Sequence, residues 1–184
     1  MAFTRGGPAS SDLYLVDSDG AGLAQLTDFD GFENSPTWSA DGTRVAFIWG
    51  HDDVRGFGET GQLWAVDSDG SKRELLLDRP VGYPVWSPDG TRIALELRGD
   101  ETHIGVLDVA TGALADLGRG YVPKWSPDGT RMTFIRDTND AFDIHVMRAD
   151  GADVVQLTDD AAFDTFPIWS PDGATILFLS AGDD

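Results

Sequence analysis

The sequence predicts an all-β fold made of repeated four-stranded antiparallel units, and three observations predict it. The string Pro-x-Trp-Ser-(Pro/Ala)-Asp-Gly occurs four times, at Pro36–Gly42, Pro84–Gly90, Pro123–Gly129 and Pro167–Gly173. Each copy leads into a strand-length run: Arg44–Trp49, Arg92–Leu97, Arg131–Arg136 and Thr175–Ser180. Long helical periodicity is missing throughout, while β-branched and aromatic residues fill the short runs.

Taken in chain order, each unit holds strands a, b, c and d. Strand a carries the tryptophan, and the Ser-Pro-Asp-Gly turn joins it to b. Pro presets φ at the first central turn position, Asp bonds nearby backbone N–H groups, and Gly takes the positive φ. Strand c recurs as Leu13–Gly20, Leu63–Gly70, Ile104–Gly112 and Ile144–Gly151, each ending in a tight polar turn. Strand d follows at Leu23–Thr27, Glu74–Leu77, Leu114–Leu117 and Val154–Thr158. One such sheet exposes two apolar faces, and stacking sheets around an axis buries them, which is a β-propeller. Trp38, Trp86, Trp125 and Trp169 then read as core residues between neighbouring blades, since a residue present in every unit serves the repeat.

The blades divide as an incomplete first blade (1–35, strands b-c-d), blades over 36–83, 84–122 and 123–166, and the a-b strands of a closing blade over 167–184. About four blades are therefore expected in this chain. Three arrangements satisfy that count: a partial ring, a four-bladed ring closed by the last a-b strands, and half of an eight-bladed dimer. In the last two, the b-like run at the N-terminus and the b strand at the C-terminus compete for one slot.

Length and composition set outer limits. The chain has 184 residues, about one domain, with 41% hydrophobic and 24% charged residues, an ordinary globular balance. No apolar run approaches the ~20 residues of a membrane helix, so no membrane insertion is expected. The N-terminus MAFTRGGPASSDLY has no apolar signal-peptide core. Thirty-two acidic residues against 13 basic ones give a formal net charge of −19, which repels nucleic acid and anionic lipid. Much of that acid is Asp, a turn former in a chain full of turns.

The stretches PVWSPDGTRIAL and PTWSADGTRVAF, with LYLVDSDG and LAQLTD after them, resemble the TolB-type, WD40-like β-propeller repeat. The resemblance covers nearly the whole chain. Ala40 for Pro in the first motif and Ala174-Thr175 for Thr-Arg in the last are departures from it. It implies a propeller and a protein or peptide partner, in a periplasmic or secreted setting. Propellers of this type also cap prolyl-oligopeptidase-like serine peptidases and occur in sugar-processing enzymes, so the fold alone does not choose a function.

Catalytic signatures are scarce. There is no cysteine, no Gly-x-Ser-x-Gly elbow and no glycine-rich phosphate loop. His51, His103 and His145 fall at non-equivalent places of the repeat, as ordinary strand or loop histidines do. Calcium is a better metal guess than zinc or manganese, with oxygen ligands around Asp137, Asn139, Asp140 and Asp143, and around Asp159, Asp160 and Asp164. Neither group has EF-hand spacing, and the Asp-Ser-Asp-Gly strings stand where hairpin turns must be. No catalytic residue, metal ligand or cofactor is therefore assigned.

Partner binding is where the residues say more. Segments entering strand a supply Asn34, Tyr83, Tyr121 and Phe166 to one end of the channel. The longest insertion, Gly50–Gly61, adds His51, Asp53, Arg55 and Phe57, a mix of charge and aromatic surface suited to recognition. The expectation is a non-catalytic protein- or peptide-binding or scaffolding propeller. An accessory substrate-gating propeller of a serine peptidase and a self-assembling unit, such as a homodimer completing a ring, are the alternatives.

Overall fold

The computed structural model describes residues 1–7, 10–50, 61–138 and 141–182, and these form sixteen strands and no helix. The strands are β1 (Ala2–Gly6), β2 (Ser11–Leu15), β3 (Ala24–Gln25), β4 (Phe32–Trp38), β5 (Arg44–Gly50), β6 (Gly61–Asp67), β7 (Arg73–Trp86), β8 (Arg92–Leu97), β9 (His103–Asp108), β10 (Leu114–Arg119), β11 (Tyr121–Trp125), β12 (Arg131–Thr138), β13 (Ala141–Arg148), β14 (Val155–Gln156), β15 (Phe163–Trp169) and β16 (Ile176–Ala181). None of the described residues forms a helix long and apolar enough to cross a membrane.

Sequential strands pair antiparallel, a to b to c to d, as the repeat requires. Units are linked in two ways. β7 runs for 14 residues, pairing first with β6 as a d strand and then with β8 as the next a strand. At two other junctions the c strand touches the following a strand through one parallel pair, Ser11 with Phe32 and Phe142 with Phe163, while β10 and β11, separated by Gly120, belong to different sheets. The d strands β3 and β14 are shorter than the sequence suggests, two residues each. Beyond them, threonine hydroxyls take over the ladder: Leu13 N donates to Thr27 Oγ1 and Ile144 N to Thr158 Oγ1.

The four a–b turns share one hydrogen-bond set. In the third, Ser126 Oγ donates to Asp128 Oδ1 at 2.6 Å, Thr130 N donates to the same oxygen, and Arg131 N donates back to Ser126 Oγ. Asp41, Asp89 and Asp172 hold the same place in the others. These donors stabilise the carboxylate, so Asp89 and Asp128 are pulled down to about 2. The aspartate-rich composition thus has a structural cause.

Units stack through three apolar clusters, each shared between neighbours. One joins Ala94, Ile104 and Val106 to Trp125, Met132, Phe134 and Met147 of the next unit. Trp125 Nε1 donates to Val85 O at 3.1 Å, and Trp169 Nε1 to Lys124 O at 3.3 Å, so these two indoles tie their strands to the preceding a strand. The arginines of the second and third turns cover the next indole: Arg92 lies 4.8 Å from the Trp125 ring centroid, and Arg131 lies 4.8 Å from that of Trp169, whereas Arg44 pairs with Asp67 and Glu74. Trp86 and Trp125 are buried, while Trp38 and Trp169, nearer the two ends of the array, are only partly so.

Candidate functional site

Every a strand contains the same irregularity. Three residues before the tryptophan, Ser35, Tyr83, Val122 and Phe166 all adopt a left-handed backbone with φ between 47° and 54°. A register shift accompanies each, between Asn34 and Thr37, Gly82 and Val85, Tyr121 and Lys124, and Thr165 and Ile168. The next residue is proline, which has no N–H for the ladder and bars its predecessor from the right-handed helical region. The result is a bulge that re-aims the preceding side chain.

Three of those re-aimed side chains meet. Tyr83, Val122 and Phe166 line a cavity of about 340 Å³ with Glu96, Arg98, Tyr121, Ile135, Phe142 and Thr165. The Tyr121 and Phe142 rings stand edge to face, their centroids 6.0 Å apart. Glu96 is fully buried beside them. Its Oε1 accepts Val122 N at 2.7 Å, and its Oε2 is ion-paired with Arg98 Nη2. Burial pushes the Glu96 carboxyl above its ordinary range. With both oxygens committed, Glu96 serves as a brace for the αL backbone of Val122 rather than as a free base.

Of the expected partner-binding residues, Tyr83, Tyr121 and Phe166 are brought together here. They lie inside strands β7, β11 and β15 rather than in loops before them, because the a strands begin four to six residues ahead of their tryptophans. Asn34, on β4, is buried and stands outside this cavity. His51, Asp53, Arg55 and Phe57 lie outside the described residues. Glu96, Arg98 and Phe142 were missed by the sequence reading. The signal for Glu96 was present: it interrupts the apolar run IALEL where the other units carry Ile48 and Ile135.

A second cavity of about 330 Å³ opens at the turn end of the a strands, walled by Trp38, Trp86, Trp125 and Trp169 with Val85, Lys124 and Ile168. Burial draws the Lys124 amine below its ordinary range. His145 packs in β13 against Phe134, ring centroids 5.4 Å apart, and burial lowers its pKa. His103 Nδ1 lies 2.9 Å from the Asp116 carboxylate. Among the described residues no three His, Asp or Glu side chains close into a metal site; Asn139 and Asp140 lie outside those residues.

Glu33 shows what a buried carboxylate does elsewhere in the array. Its Oε2 accepts Leu13 N at 2.8 Å and the Thr27 hydroxyl, tying β4 to β2, and burial pushes it up to about 7. A folded pKa above the unfolded one contributes stability that is complete below pH ~4.5 and is lost as pH rises through ~7. Glu33→Gln is therefore expected to melt several degrees above the parent at pH 8.5 and to lose that advantage at pH 5. Thermal melts at the two pH values check this, and equal shifts at both would refute it.

Repeated four-stranded sheets stacked through tryptophans define a β-propeller array, and the comparisons give its family. The model of the TolB beta propeller domain matches residues 43–183, and the chain belongs to that family. TolB of Acinetobacter baumannii superposes with a TM-score of 0.79 at 21% identity, over 96% of this chain and 46% of that one. A putative TolB of Agrobacterium tumefaciens gives a TM-score of 0.76 at 26% identity, over 92% and 62%. An oligogalacturonate lyase of Vibrio parahaemolyticus shares the fold at 18% identity and a TM-score of 0.73, over 98% and 55%. In sequence, dipeptidyl-peptidase 5 of Porphyromonas gingivalis is 45% identical over 40 residues, 22% of this chain and 6% of that protein. The chain thus spans less than two thirds of each of these proteins.

Proposed function

We propose that the chain is a non-catalytic binding module that takes a peptide segment of a partner protein between Tyr83, Tyr121 and Phe166. One observation carries this reading: three successive a strands use the same bulge to turn aromatic and apolar side chains into a single cavity. Aromatic rings offer large contact area at little entropic cost, and Glu96 with Arg98 supplies polar groups at the edge for orientation. The Glu96 oxygens, engaged by Val122 N and Arg98, support a role in shaping the cavity.

The test is a peptide-display selection on the immobilised chain, with the selected peptides then measured against Tyr121→Ala/Phe166→Ala. At least a tenfold loss of affinity is expected, about 1.4 kcal/mol. Peptides that bind parent and variant alike would overturn the assignment of this site. The stretch shared with dipeptidyl-peptidase 5 favours a second reading, a propeller that gates substrate for a peptidase. A Gly-x-Ser-x-Gly-containing hydrolase region encoded in the same reading frame would select it.

A further inference from the structure

At the turn end of the a strands, the tryptophan-walled cavity of about 330 Å³ shares no residue with the cavity beside the bulges. One position in it departs from the repeat. Directly before the tryptophan, three units carry the uncharged Thr37, Val85 and Ile168, and the remaining one carries Lys124. Uncharged side chains satisfy the packing of the repeat there, so the lysine is an addition to it. Lys124 is partly buried and pairs across the sheet with Thr133 of β12, itself 0% exposed.

The surroundings of that lysine are unusually one-sided. Of the twelve residues lining the cavity, Lys124 alone carries a charge, although the chain holds 32 acidic residues. Among the described residues no carboxylate meets its amine, and burial without a counter-charge draws that amine below its ordinary range. The hydroxyls of Ser87 and Ser126 in the same lining are donated to Asp89 and Asp128 of their own turns. What is left is a set of four indoles, able to stack edge or face on a flat ring, and one ammonium without an anion. The lining comes from β4, β7, β11, β15 and the turns after them, so the outermost strands β1 and β16 take no part.

We propose that this cavity binds a small aromatic carboxylate, with its ring against the indoles and its carboxylate on the Lys124 ammonium. The volume stands at the low end for small-molecule sites, which suits one or two fused rings. A cation would meet Lys124 as a like charge, and a neutral ring would leave the ammonium unpaired. The net charge of −19 repels anions at long range, so selectivity rests on the contact pair, which a partly buried site screens least.

Calorimetry on the intact chain tests this with three probes of one shape: 2-naphthoate, 2-naphthamide and 2-naphthylmethylammonium. The acid is expected to bind at least tenfold more tightly than the amide, and the ammonium compound more weakly than either. Lys124→Met should erase the gap between acid and amide, whereas Lys124→Arg should keep it. The indole N–H resonances of the parent protein locate the site independently. 2-Naphthoate should shift those of Trp38, Trp86, Trp125 and Trp169 and leave those of Trp49 and Trp64 in place. Equal affinity for acid and amide, a preference that survives Lys124→Met, or shifts confined to Trp49 and Trp64 would each overturn the proposal. So would the absence of 2-naphthoate binding at millimolar concentration.

Discussion

Trp125→Ala is expected to cost about 3–5 kcal/mol and to lower the melting temperature by roughly 10 °C. The indole is buried in the cluster that joins two units, between Ala94, Ile104 and Val106 on one side and Met132, Phe134 and Met147 on the other. Its Nε1 also donates to Val85 O, and the Arg92 guanidinium lies over its ring. Truncation therefore opens a cavity, leaves a carbonyl short of its donor and strands a cation above nothing. Trp125→Phe keeps most of the packing and removes only the donor, so it should lose well under half as much. Arg92→Ala removes the cation and should cost no more than about 1 kcal/mol. Melts of the three variants check the order, and a Trp125→Ala protein melting within two degrees of the parent would deny the indole its place between units.

Gly105→Trp is the second large effect, and it runs against the repeat. Equivalent positions on the other c strands hold Tyr14, Trp64 and His145, so restoring an aromatic residue looks like regularisation. The structure says otherwise. A Cβ on Gly105 would stand 2.8 Å from Leu97 Cγ and 3.0 Å from both its methyl carbons. Leu97 fills the space beside Gly105, and it is itself buried. Gly105→Ala should cost about 1 kcal/mol and Gly105→Trp about 3 kcal/mol or more, through forced displacement of the Leu97 side chain. Adding Leu97→Ala should recover a good part of the Trp loss, a coupling that a double-mutant cycle measures. If the double variant is as unstable as the sum of the singles, the two side chains do not compete for one space.

Much of the fold was legible because the information in it is local. A Ser-Pro-Asp-Gly turn is specified by residues in contact along the chain, and so is the alternation in a b strand such as Arg92–Leu97. The d strands were less legible: β3 and β14 shrink to two residues because Thr27 and Thr158 cap the ladder with hydroxyls, and nothing in a short apolar run announces that substitution. The cavity beside the bulges was half legible. Tyr83, Tyr121 and Phe166 could be gathered from their equivalent places in the repeat. Their exact placement could not, because a proline two residues before a tryptophan looks like the start of a strand, whereas it is the bulge in the middle of one. Glu96 and Arg98 belong to the site through packing between units that are 26 residues apart at Val122. Only the assembled array brings them together.

The unbroken run of β7 has a mechanical consequence. Its 14 residues serve two successive sheets with a single backbone, and Pro80, at the crossing point, accepts Arg98 N through its carbonyl at 3.1 Å. No loop separates the two sheets there; the pairing with β6 shifts register between Leu77 and Val81 within one continuous strand. Tension applied across it loads a row of backbone hydrogen bonds in shear, and the two sheets would tear loose together or stay together.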